Sequence, residues 1–213
     1  MWRQSLRLYQ EEYARAAQLK AHYLVTHVGS HRGQGEDAGI TRVSRAMSQT
    51  LRRTTPSVMI LLENTAGSGQ GLGCTFEQLA RIRQHVEGNE SVGICLDTAH
   101  LFAAGYPIHT AQGLEETLAS FDHIVGLRHL RLIHLNDSKV PFQSRVDRHW
   151  HIGQGHIGLE AFRRIVNHPR LNDIPFILET PKSTERDDQR NLACVRALVR
   201  GARRLRLART SRT

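Results

Sequence analysis

Five short apolar runs in this sequence each end on a histidine or an acidic residue. Segments with helical spacing separate the runs, and a strand that is buried on both faces stays apolar until it leaves the core. A polar residue at each exit therefore indicates that the strand ends face one common site. The predicted strands are residues 22–27, 58–63, 92–97, 130–134 and 174–179.

The segments between the runs carry apolar residues at three- and four-residue spacings, which predicts amphipathic helices. Thr75 is positioned to cap one helix, and Thr54-Thr55-Pro56 to end another. Strands that alternate with helices form a parallel sheet, and a closed barrel of this kind typically has eight strands and ~250 residues. The sequence therefore predicts an incomplete α/β barrel of the TIM-barrel type. The predicted helices are residues 5–20, 40–53, 75–87, 113–125, 159–167 and 188–206.

The polar strand ends are residue types that bind metal ions. Zinc in open catalytic sites takes histidine nitrogen and carboxylate oxygen, and metal pairs ~3.5–4 Å apart clamp the oxygens of a phosphodiester during hydrolysis. His100, Asp147 and His149 follow in loops and are enough for a third metal. A single such residue is more often a helix cap or a structural hydrogen-bonding group, whereas five in succession favour a metal-dependent enzyme. The strand-end candidates are His27, Glu63, Asp97, His134 and Glu179.

Composition adds an expected partner and compartment. The 213 residues are 39% hydrophobic, which suits one core, and the net charge of +9 favours an anionic partner such as nucleic acid. The three cysteines form no C-x-x-C pair, so neither disulfides nor a cysteine zinc site is predicted. The sequence has no apolar leader and no run of ~18 apolar residues. We therefore expect an intracellular, cytoplasmic protein without a signal peptide or membrane span, nucleoid-associated if it is bacterial.

Seven segments of the sequence together resemble the endonuclease IV family of apurinic/apyrimidinic endonucleases. They run in the family's order from about residue 3 to about residue 200. The resemblance implies a zinc-dependent TIM barrel for base excision repair. Such an enzyme uses zinc-activated water to hydrolyse the phosphodiester 5′ to an abasic site in double-stranded DNA. The segments are 27–31 (HVGSH), 62–67 (LENTAG), 96–106 (LDTAHLFAAGY), 134–139 (HLNDSK), 145–149 (RVDRH), 151–155 (HIGQG) and 178–181 (LETP).

The resemblance also implies three zinc ions and a role for each candidate residue. Glu63 and Glu179 would be catalytic, with Glu179 orienting the attacking water. Glu63 would be shared by two of the ions. The first zinc would be bound by His27 and Glu63, the second by Glu63, Asp97, His134 and Glu179, and the third by His100, Asp147 and His149.

The sequence departs from the family mainly at its amino-terminal end. The family has a further histidine ligand for the first zinc in a preceding unit, and no residue here matches it. We therefore expect about the last five strands of a barrel, a weakly held first zinc, and open sheet edges that favour self-association or a complementing chain. A smaller departure is Gln143, where the family tends to have glycine. The predicted domains are a partial barrel, residues 1–195, and an arginine-rich tail, residues 196–213.

Two other functions stay open at the level of sequence. One is a catalytically impaired remnant that holds DNA through its arginines. The other is a divalent-metal sugar isomerase or epimerase, because related barrels use strand-end carboxylates for proton transfer. Asp147, His149 and the basic charge weigh against a sugar enzyme, since a neutral sugar needs neither a third metal nor a positive surface.

Overall fold

Strands and helices alternate along the chain in the structure, a computed structural model that describes residues 2–53 and 57–200. None of its described helices is both long and apolar enough to cross a membrane. The strands are β1 (Tyr23–His27), β2 (Met59–Glu63), β3 (Val92–Asp97), β4 (Leu130–His134), β5 (Asp137–Ser138), β6 (His149–Trp150) and β7 (Phe176–Ile177). The helices are α1 (Trp2–Gln18), α2 (Glu36–Arg53), α3 (Phe76–His85), α4 (Thr98–Ala104), α5 (Ala111–Ile124), α6 (Leu159–Val166) and α7 (Asp187–Leu198).

Five of the strands form one parallel sheet in the order β1-β2-β3-β4-β7, and β5 pairs with β6 in a separate antiparallel ribbon. The parallel register aligns the strand ends, so that His27 pairs with Glu63 and Asp97 with His134. Within the described residues β1 and β7 each have one neighbour, and the sheet is open. The predicted α/β fold with an incomplete parallel sheet is therefore confirmed. Association through the open edges stays a prediction, which sedimentation equilibrium would test.

Apolar residues on the two faces of the sheet form two cores, as expected for strands that are buried on both sides. On the outer face, residues such as Ile60 and Ile94 pack against the helices in the larger core. On the inner face, Leu61, Cys95 and Leu132 form a smaller cluster. Burial raises the pKa of the Cys95 thiol to about 11, so the thiol stays protonated at neutral pH.

The last strand is shorter than predicted. Only Phe176–Ile177 pairs with β4, whereas the sequence predicts residues 174–179. Pro175 has no N–H to donate to a ladder, and the N–H of Glu179 donates to Asn136 Oδ1 at 2.7 Å instead of to a strand. Glu179 therefore follows the strand by two residues and is fixed by a side chain.

The last helix is also shorter than predicted. It covers Asp187–Leu198 rather than residues 188–206, because Val199 adopts an extended conformation with φ −68° and ψ 126°. The arginine-rich tail from residue 201 onward lies outside the described residues. The predicted helix stop at Thr54-Thr55-Pro56 lies outside them as well.

The loop after β5 contains a residue in a conformation that favours glycine. Gln143 has a φ of 61°, in the left-handed region where a side chain is strained. Its N–H donates to the carbonyl of Phe102 at 3.2 Å, which holds the loop against α4. This backbone conformation gives a physical reason for a glycine at the position, although the chain has glutamine there.

Candidate metal centre

The carboxyl ends of the parallel strands bring the predicted ligands into one cluster. Glu63, which is 4% exposed, lies at its centre. Its Oε1 is 2.8 Å from His134 Nδ1 and its Oε2 is 3.2 Å from His27 Nε2, while His134 Nδ1 is also 3.0 Å from Glu179 Oε2. One ligand atom from each of Glu63, Asp97, His134 and Glu179 lies within 4.8 Å of the others. Four donors at this spacing suit a shared cation.

Charges in this cluster offset one another. Burial raises the pKa of the Glu63 carboxyl, but hydrogen bonds from His134 and His27 outweigh it and lower the pKa to about 2. Burial lowers the pKa of His134, whereas hydrogen bonds to Cys95, Glu179 and Glu63 raise it to about 12. Protons on the histidines thus take the place that a metal cation would fill, and metal binding would release them.

A second group of ligands lies beside the first, at the predicted third site. His100 and His149 face each other with their Nε2 atoms 3.4 Å apart. Asp147 oxygens lie 3.2 Å from His100 Nε2 and 3.5 Å from His149 Nε2. Ligands bound about 2.0–2.1 Å from a tetrahedral zinc ion lie about 3.3–3.4 Å from each other. The two Nε2 atoms and the Asp147 oxygens, one near each ring, therefore have spacings close to those of zinc ligands. Asp97 also has a ligand atom within 4.8 Å of both histidines.

Backbone carbonyls turn both histidine rings toward that site. Nδ1 of His100 lies 2.8 Å from the carbonyl oxygen of Asn64, and Nδ1 of His149 lies 3.2 Å from that of Glu179. An Nδ1–H that donates to a carbonyl leaves Nε2 to bind a metal. Burial lowers the pKa of His100, but the surrounding carboxylates, first among them Asp97, raise it to about 9.

Asp97 divides its carboxylate between two roles. Oδ1 accepts a hydrogen bond from His100 N at 2.8 Å and caps α4, so the helix begins at Thr98 and His100 lies on it rather than in the predicted loop. Oδ2 lies 2.6 Å from Asn136 Nδ2 and 3.4 Å from His149 Nε2. The helix-cap alternative is thus correct for one oxygen, and the other oxygen faces the ligand cluster.

His27 and Glu63 form the remaining predicted site, at the edge of the sheet. The His27 side chain is 54% exposed. His100 has a ring nitrogen within 4.8 Å of both residues, but its Nδ1 faces the carbonyl of Asn64 and its Nε2 faces Asp147. Among the described residues this site therefore has two side chains of its own, which agrees with the expected weak first site.

Three buried residues that sequence reasoning missed support the ligands. Asn64 Oδ1 accepts from Asp97 N at 2.6 Å, and Asn136 contacts Asp97 and Glu179. The Asp137 carboxylate accepts hydrogen bonds from four backbone N–H groups, three of them in residues 153–157. The available signal was proximity in sequence, since Asn64 directly follows Glu63, and Asn136 and Asp137 lie two and three residues after His134.

Comparison with known proteins places most of the chain in one family. The sequence profile of the xylose isomerase-like TIM barrel matches residues 1–198. A probable endonuclease 4 of Chloroflexus aurantiacus is 50% identical over 200 residues, which cover 93% of this chain and 70% of that protein. A probable endonuclease 4 of Halothermothrix orenii is 45% identical over 187 residues, covering 88% and 67%.

Solved structures show the same relationship. Endonuclease IV of Thermus thermophilus is similar with a TM-score of 0.80 and 37% identity, covering 92% of this chain and 68% of that one. A D-tagatose 3-epimerase-like protein matches with a TM-score of 0.66 at 19% identity, covering 92% and 68%, which shows a shared fold alone. The predicted incomplete barrel is therefore of the TIM-barrel type, and the chain belongs to the endonuclease IV family.

Proposed function

We propose that this chain is a zinc-dependent endonuclease of base excision repair that hydrolyses the phosphodiester 5′ to an abasic site in double-stranded DNA. The observation that carries the proposal is the group of His100, Asp147 and His149, spaced like zinc ligands, beside the four-residue cluster around Glu63. Adjacent metal sites of nitrogen and oxygen donors suit the in-line displacement of a phosphodiester. Family membership supports the same reaction class.

The exposed fractions of the Glu63 and Glu179 side chains indicate different roles in the reaction. Bound zinc ions supply Lewis-acid stabilisation of the charge that develops on the phosphate and the departing oxygen. The side chain of Glu63 is 5% exposed and serves as a shared ligand, whereas that of Glu179 is 46% exposed and can reach solvent. A hydrogen bond from His134 lowers the pKa of Glu179. Glu179 therefore stays a carboxylate at neutral pH and can orient the attacking water through a hydrogen bond.

Electrostatics explains why the site would need cations before DNA can enter it. Four carboxylates converge there, and among the described residues their ion-pair partners are histidines. Carboxylates whose charge the histidine protons do not offset would repel a DNA phosphate, and bound metal would remove this repulsion. The chain as a whole is basic, with 29 lysine and arginine residues against 20 acidic ones, which attracts the DNA backbone over a longer range.

The two alternative functions explain fewer features of the structure and the sequence. A sugar isomerase or epimerase acts on a neutral substrate, and it leaves the second group of ligands and the positive charge without a role. The likeness to epimerases below 25% identity supports the fold only. A DNA-binding remnant would leave the retained ligand geometry without a role, and it differs from the proposal in predicting no metal-dependent incision.

Incision of a duplex that contains one abasic analogue tests the proposal. The wild-type chain is expected to cut on the 5′ side, to lose this activity with a chelator, and to regain it with zinc. Glu179→Gln is expected to cut at least ~100-fold more slowly, because the amide loses the charge that binds a cation and one of the oxygen acceptors that could orient the attacking water. Glu160→Gln, an exposed glutamate on α6, is the matched control and should cut like the wild type. DNA binding without metal-dependent cutting by the wild type would support the remnant instead.

A further inference from the structure

A single buried side chain connects two of the ligand-bearing strand ends. Asn136 is 0% exposed and follows β4, which lies between β3 and β7 in the sheet. Its Nδ2 donates to Asp97 Oδ2 at 2.6 Å, and its Oδ1 accepts from the backbone N–H of Glu179 at 2.7 Å. The amide therefore spans from the end of β3 to the residue that follows β7.

The orientation of this amide is determined by its partners. A backbone N–H can only donate, so the atom that faces Glu179 N is the oxygen, and the atom that faces the Asp97 carboxylate is the NH₂ group. The backbone of Asn136 is held as well, because the Thr98 hydroxyl donates to its carbonyl at 2.7 Å and its own N–H lies 2.8 Å from the same hydroxyl. An amide that is fixed on both sides has little freedom to adapt.

These contacts connect Asp97 and Glu179, which no strand pairing links directly. Asp97 pairs with His134 in the sheet, whereas Glu179 lies beyond the two paired residues of β7. The Asp97 oxygen that Asn136 contacts is the one that does not cap α4. Removing the amide would free this oxygen to rotate and would release the backbone that carries the Glu179 carboxylate.

We propose that Asn136 is a positioning residue that sets the separation of the Asp97 and Glu179 carboxylates so that both face one cation. The inference rests on the metal-binding part of the proposed function. Partners that orient metal ligands typically contribute about 10–100-fold to metal affinity. Loss of the Asn136 amide should therefore weaken the four-residue site most, because two of its ligands lose a hydrogen-bond partner. The His100–Asp147–His149 site should weaken less, because His100 is oriented by Asn64, and only His149 faces Asp97 Oδ2 and the Glu179 carbonyl.

Equilibrium zinc titration against a competing chelator measures the effect without relying on activity. Asn136→Ala is expected to bind one zinc ion at least ~10-fold more weakly than the wild type, and the other with a clearly smaller loss of affinity. Asn136→Ser, which leaves a smaller cavity, should show the same pattern if the alanine variant folds poorly. Asn167→Ala is the matched control, because the amide of this half-buried asparagine also bonds on both sides, with three hydrogen bonds to backbone groups, but lies between α6 and the end of α7.

The outcomes separate this inference from the proposed function. If the wild type binds zinc and the Asn136 variants bind it with the same affinities, the positioning role alone would be overturned. A loss that Asn167→Ala reproduces at similar unfolding free energy would also overturn it, since the effect would then be general destabilisation. A wild-type chain that binds no zinc would overturn both. A larger loss of zinc affinity at one site than at the other in the Asn136 variants, with Asn167→Ala unaffected, supports the positioning role.

Discussion

Glu63→Gln is expected to slow abasic-site incision by about 10³-fold or more, which corresponds to about 4 kcal/mol of transition-state stabilisation. Glu63 is buried, and its two oxygens contact histidines from different strands, at 2.8 Å for His134 and 3.2 Å for His27. The amide keeps the shape of the side chain but loses the charge and one acceptor. Both sites that share Glu63 should therefore bind zinc more weakly. Single-turnover incision at saturating DNA measures the effect.

The control for this variant is a glutamate–histidine pair far from the cluster. Glu115 Oε1 lies 2.8 Å from His168 Nε2, the same distance as in the Glu63–His134 pair, but Glu115 is exposed on α5. Glu115→Gln should leave the incision rate within a factor of about two, because solvent-exposed pairs contribute little. If Glu63→Gln cut DNA as fast as Glu115→Gln, the shared-ligand role of Glu63 would be wrong.

Asp137→Ala is expected to lower the free energy of unfolding by about 4 kcal/mol, since each buried N–H left without a partner costs about 1–3 kcal/mol. The carboxylate is 0% exposed and accepts from four backbone N–H groups at 2.8–3.0 Å. A Cβ atom added to Gly155 would lie 2.5 Å from Asp137 Oδ1, so the segment that contains Gly155 packs directly against the carboxylate. Urea denaturation of the zinc-free protein measures the loss.

A surface carboxylate provides the comparison for Asp137. Asp122 is exposed and accepts one hydrogen bond, from Leu127 N at 2.9 Å, so Asp122→Ala should cost less than about 1 kcal/mol. Similar unfolding free energies for the two variants would show that water replaces the carboxylate of Asp137. In that case residues 153–157, which lie between β6 and α6, would not depend on it.

The strand ends could be predicted because burial on both faces makes a parallel strand a continuous apolar run. The end of that run then marks the ligand, as at Glu63, Asp97 and His134. The same rule wrongly predicts that Glu179 is the last residue of a strand. Pro175, which the sequence shows, and the hydrogen bond from Glu179 N to Asn136, which it does not show, shorten β7.

The parts that sequence reasoning missed depend on buried polar contacts rather than periodicity. Helix α4 begins because Asp97 caps it, whereas the strand-end pattern favours Asp97 as a metal ligand over a helix cap and predicts a loop after it. Asn136 and Asp137 have no periodic signal, because their partners lie up to 43 residues away along the chain. Such contacts are set by tertiary structure and have no signature at short range.

Zinc bound per chain in the purified 213-residue protein is the most direct measurement of the central claim, that these strand ends form a metal centre. The account predicts two tightly bound ions after dialysis, one at Glu63, Asp97, His134 and Glu179 and one at His100, Asp147 and His149. A third ion at His27 and Glu63 should be lost, since this site has two side chains of its own among the described residues. Less than one zinc ion per correctly folded chain, with none regained on zinc addition, would contradict the account.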